Sequence, residues 1–93
     1  MRQVPTEAAT MITAAQLRAA RALLGIDQRS LAAMAGVSLP TIQRMEASDG
    51  TVRGVVDTLV KVIDALDASG VELIGPGQPS QAQGRGVRLK EPA

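Results

Sequence analysis

The chain contains neither histidine nor cysteine, so it lacks the commonest general base, the thiolate nucleophile and the usual ligands of zinc. Its carboxylates are scattered rather than paired, and no glycine-rich loop joins a strand to a helix as a phosphate cradle requires. No enzymatic chemistry, metal or cofactor is expected. What remains is recognition through hydrogen bonds and charge. Gln28, Arg29, Ser38, Leu39, Thr41, Gln43, Arg44 and Arg53 gather such groups in a short stretch. An arginine presents a fork of donors that fits paired acceptors, either a phosphate or the O6/N7 edge of a guanine. Arg44 and Gln43 suit either use. Leu39 can touch a thymine methyl or simply close the surface, and Arg29 and Arg53 suit phosphate.

The elements that must position these residues announce themselves through their caps. Thr13 is placed to cap a first helix, with Gln16 three residues later completing a capping box and Ile12 and Leu17 at hydrophobic-staple positions. Leu17, Ala20 and Leu24 repeat at helical spacing up to Gly25. Asp27 is a second cap, between Ile26 and Leu31, and Gly36 ends that helix. Ser38 is a third cap, with Pro40 tolerated in the first turn, and Ser48-Asp49-Gly50 closes the helix. A fourth helix is expected from about Val55 to Ser69, stopped by Gly70. Its apolar residues cover more than one stripe, so part of it needs a further cover.

At 93 residues the chain holds one domain near the small end of what folds alone, which favours self-association. It has no aromatic residue at all, so the core must be aliphatic, a condition that closely packed helices meet. Three segments are expected: a loose arm over 1–11, a helical unit over 12–70, and a tail over 71–93 with a flexible loop at 75–86. Within the tail, Val71-Glu72-Leu73-Ile74 and Gly86-Val87-Arg88-Leu89-Lys90 show period-two character on either side of a Gly/Pro/Gln/Ser stretch. Two strands here can pair within one chain, with Glu72 opposite Arg88 or Lys90, or between two chains. No apolar run approaches the roughly 18 residues of a membrane span, and the N-terminus does not read as a signal peptide.

Within residues 28–46 the pattern is physically coherent. Ala32 is small where two helices approach, and Gly36 supplies the positive φ of the turn. Val37 plugs the angle, and Ile42 and Met45 anchor the next helix, leaving Ser38, Leu39, Thr41, Gln43 and Arg44 facing outward. This pattern resembles the Xre/Cro-type helix-turn-helix family of bacterial and phage regulators, through Gln28, Leu31, Ala32, Ala35, Gly36, Val37, Ser38, Ile42 and Glu46. The resemblance extends over residues 13–66. It implies a third helix that enters the major groove and a Gln28 that contacts the DNA backbone. It also implies a structural pair between Arg21 and Glu46. Leu39-Pro40 departs from the family, since many relatives place polar base readers there.

The charge distribution agrees with that docking direction. Residues 1–54 carry six arginines against four acids, a net of +2, whereas residues 55–75 carry one lysine against four acids, a net of −3. The fourth helix should face away from phosphate. The expected fold is mostly α, a lambda-repressor-like bundle of four to five helices with a short C-terminal β-hairpin. The expected function is sequence-specific binding of a double-stranded DNA operator, as a cytoplasmic, nucleoid-associated homodimeric transcriptional regulator with no membrane role. Dimerisation is expected through helix four and the hairpin, using Val56, Val60, Val71, Leu73, Val87 and Leu89. Two other readings use the same fold: an antitoxin whose tail covers a toxin, and a protein-interaction adaptor that has lost DNA binding.

Overall fold

The computed structural model describes residues 12–79 and 85–90. The expected arm over 1–11 and part of the expected loop, 80–84, lie outside the described residues. Four helices precede a two-stranded antiparallel hairpin: α1 (Ala14–Leu24), α2 (Gln28–Ala35), α3 (Leu39–Glu46), α4 (Val56–Ala68), β1 (Val71–Ile74) and β2 (Gly86–Leu89).

Each of the first three helices begins at its expected cap. The Thr13 hydroxyl accepts from the Gln16 backbone N–H, and the Gln16 side chain accepts from the Thr13 N–H, closing the capping box. Asp27 accepts from the Ser30 N–H at 2.7 Å, and Ser38 from the Thr41 N–H at 3.2 Å. Two of these helices stop at glycines in the left-handed region, Gly25 and Gly36. At Gly36 φ is +71°, and its N–H closes the end of α2 on the Ala32 and Ala33 carbonyls. The fourth helix runs Val56–Ala68, with the expected end residues Val55 and Ser69 as its caps; no side chain caps its start.

The core is aliphatic throughout. Leu17 and Ala20 from α1, Leu31 and Ala32 from α2, Ile42 and Met45 from α3, and Leu59, Val62 and Leu66 from α4 are all buried together. α2 packs against α3 and α4, while α1 packs against α3 and both strands. Two hydrogen bonds stitch the entry of α1 to the segment after α3: Ala14 N–H to the Gly50 carbonyl at 2.9 Å, and Val52 N–H to the Ile12 carbonyl at 2.8 Å.

The tail departs from one expectation. The hairpin pairs within the chain, in a register that sets Glu72 opposite Arg88. Val71 is buried in the chain's own core, and Leu73 and Val87 pack against it. Val71 is therefore not spare apolar surface for a second copy, while Leu73 and Val87 are only partly covered by the chain's own core. The Leu89 side chain lies outside what is described. The Gln16 side-chain amide donates to the Ile74 carbonyl at 3.1 Å and the Gly86 carbonyl at 3.0 Å, pinning both strands to the start of α1.

Candidate nucleic-acid interface

The outward face of α3 depends on how firmly its inner face is held. Ile42 and Met45 are buried, which turns Gln43 and Arg44 outward as exposed residues. Ser38 is also exposed, and Leu39 and Thr41 are half-buried. The hydroxyls of Ser38 and Thr41 lie 2.8 Å apart, and Arg44 Nη2 reaches back to Thr41 Oγ1 at 3.4 Å. Ser38 is thereby occupied as a helix cap, which leaves Gln43 and Arg44 as the freer donors on this face.

The far end of α3 is fixed by charge. Glu46 is buried, and its carboxylate receives Arg21 through two donors, Nε at 2.6 Å and Nη2 at 2.8 Å. Gln28 Nε2 adds a third donor at 3.1 Å. Burial alone would raise the Glu46 carboxyl; the hydrogen bonds from Arg21 and Gln28 and the positive charges of Arg21 and Arg18 outweigh it and hold the carboxyl below its usual range. The same bond to Glu46 raises Arg21 further. Arg18 donates to the Glu46 backbone carbonyl at 2.6 Å, so a cation also closes the negative end of α3. Sequence reasoning passed over Arg18; its signal is the three-residue spacing from Arg21, which puts both on one face of α1.

At the start of α2, the Asp27 carboxylate holds the Ser30 N–H, and that hydrogen bond lowers its pKa. The Gln28 and Arg29 backbone N–H groups remain as the open donors of this helix end. Arg29 is exposed, and Gln28 is half-buried with its amide already committed to Glu46. On the other side of α3, Thr41, Arg44 and Arg53 line a cleft of about 200 Å³ together with Val55 and Thr58 from the start of α4. Two arginines nine residues apart thus line one cleft, beside a helix start that lacks a side-chain cap. In contrast, the tail cations are engaged elsewhere: Arg88 pairs with Glu72 at 2.6 Å and Lys90 with Asp67 at 2.8 Å.

Among the described residues no helix is long and apolar enough to cross a membrane. A comparison with curated proteins finds no match. A family model described as helix-turn-helix matches residues 17–73, which run from the first buried leucine of α1 into β1 and include all four helix-packing faces described above. With its capped α2, tight Gly36 turn and outward-facing α3, the chain belongs to the Xre/Cro-type helix-turn-helix family of DNA-binding regulators.

Proposed function

We propose that the protein is a homodimeric, sequence-specific transcriptional regulator whose α3 enters the major groove of an operator half-site, acting in the cytoplasm on nucleoid DNA. The observation that carries this reading is the convergence of Arg44 and Arg53 on one cleft beside the exposed face of α3. Gln43 and Arg44 read base edges, with Leu39 against a thymine methyl. Ser38 and Thr41 set the shape of that face. Gln28, through its open backbone N–H rather than its engaged side chain, joins Arg29 and Arg53 in holding the DNA backbone and fixing the register. The mechanism is binding energy alone, with two half-sites matched by two copies. Exposed Val55 and Val56 at the start of α4 support a second copy there, since two adjacent exposed valines are unusual without a cover.

Operator sequences selected from a random duplex pool supply the probe. Arg44→Ala is expected to cost about 1–3 kcal/mol on the best sequence and to relax preference at one base pair per half-site. Arg53→Ala is expected to weaken all sequences alike and to flatten the salt dependence by a slope of about one. Affinities for single-base operator variants at several salt concentrations separate the two. An unchanged base-preference profile in Arg44→Ala would make Arg44 a phosphate contact and leave the reading to Gln43 and Leu39. Failure to enrich any sequence would favour the adaptor.

A further inference from the structure

The turn after α3 places Asp49 directly before Gly50, and both are exposed. Among the described residues, the Asp49 carboxylate has no hydrogen-bond or ion-pair partner and the Gly50 N–H has no acceptor. Each of the four other aspartates lacks at least one of these conditions. Asp27 is held by the Ser30 N–H, and Asp57 pairs with Lys61 inside helical backbone and precedes a β-branched threonine. Asp64 and Asp67 precede alanines whose N–H groups serve the α4 ladder, and Asp67 also pairs with Lys90. From this juxtaposition of an unengaged carboxyl and an unengaged, uncrowded amide, we infer that Asp49–Gly50 is a site of spontaneous isoaspartate formation, a covalent modification in the hinge between α3 and Arg53.

The step balances without any co-reactant except water. The Gly50 nitrogen attacks Cγ of protonated Asp49, forming an N–Cγ bond and giving up its proton as the carboxyl hydroxyl leaves as water. The resulting five-membered imide then takes up one water at either carbonyl. Opening at one carbonyl restores aspartate; opening at the other routes the main chain through the former side chain, adding a methylene to the backbone and leaving the α-carboxylate as the side group. Charge and mass are unchanged. The consequence is local: the Gly50 carbonyl accepts from Ala14 N–H, and Thr51 bridges to Thr13, so a lengthened main chain disturbs the stitch between α1 and the exit of α3.

The full-length protein is held for weeks at physiological temperature and near-neutral pH. It is then labelled with a methyl group from S-adenosylmethionine by an isoaspartate methyltransferase and mapped by electron-transfer fragmentation. The expected result is label confined to the peptide that contains Asp49 and lost in Asp49→Glu, because glutamate would have to close a larger and slower ring. Asp49→Asn, which reaches the same imide by losing ammonia, should convert faster and show it as a mass gain. Aged protein should melt at a lower temperature than fresh protein, whereas equally aged Asp49→Glu should not. The inference is overturned if Asp49 stays unlabelled while a synthetic peptide of the same segment accumulates label in the same buffer. Label spread evenly over all five aspartates would overturn it as well, since it would reflect unfolding rather than this turn.

Discussion

Glu46 shows how one residue can serve structure at the edge of a binding face. Its carboxylate lies almost wholly out of water, yet two arginine donors, one amide and a second guanidinium close by keep it ionised. A carboxyl whose pKa is lowered by folding contributes stability that is full above its unfolded value, about 4.3 for glutamate, and is lost as pH falls through the lower folded value. Asp27, also lowered, adds an effect of the same sign. Glu46→Gln is therefore expected to destabilise the fold at neutral pH by on the order of 2–3 kcal/mol, less than a fully buried pair would lose because Arg21 keeps some contact with water. It should also flatten the loss of stability on acidification. Urea denaturation from neutral pH down through the carboxylate range tests both, and an identical acid slope in the two proteins would show that Glu46 does not carry the linkage.

At the scale of the element, the turn between α2 and α3 decides where the recognition face points. A Cβ built at Gly36 would meet nothing within 4 Å, so the space is open and the constraint is the backbone conformation itself, with φ at +71°. Gly36→Val is accordingly expected to cost about 1–3 kcal/mol, all of it backbone strain. Gly36→Asn should cost clearly less, because asparagine tolerates the left-handed region. Chemical denaturation of the three proteins gives the ranking, and equal midpoints for Val and Asn would locate the constraint in packing. This turn was legible in the sequence because its signals act within a few residues. A cap reaches three residues forward, and a glycine acts where it stands.

For the whole molecule, the hairpin changes what a truncation means. Chain ending at Ser69 would remove Val71 and Ile74 from the core and leave the Gln16 amide without its two carbonyls. Loss of two buried aliphatic side chains corresponds to roughly 3–6 kcal/mol, a large share of the stability of a small domain. The truncated chain is expected to unfold cooperatively at much lower denaturant, or not to fold at all. It therefore cannot report on dimerisation. The pair Val55→Lys and Val56→Lys can, because both positions are exposed. Solution mass should fall toward that of one chain while the melting temperature stays near that of the parent. A double variant that keeps the mass of a dimer would place the interface away from the start of α4.

Sequence alone determined the starts of the first three helices, the glycine stops and the aliphatic core, because periodicity and capping are local rules read within one or two turns. At α3 it determined the exposure of Ser38, Gln43 and Arg44, though not the half-burial of Leu39 and Thr41. It also placed Glu72 opposite a cation, although it left open whether Arg88 or Lys90 would meet it and whether one chain or two supplied the strands. Tertiary structure decided everything that joins distant segments. Arg44 and Arg53 line one cleft because of the path the chain takes from α3 into the start of α4. Arg18 closes α3 through a backbone carbonyl, an acceptor that every residue possesses and no side-chain pattern can mark. Gln16 carries two jobs, its oxygen serving the cap of α1 and its nitrogen the two strands, and only the first of these has a partner within reach of sequence spacing. Val71 looked like spare apolar surface because a strand residue's burial depends on which face the rest of the chain covers; here that cover comes from α1 and α4 of the same chain.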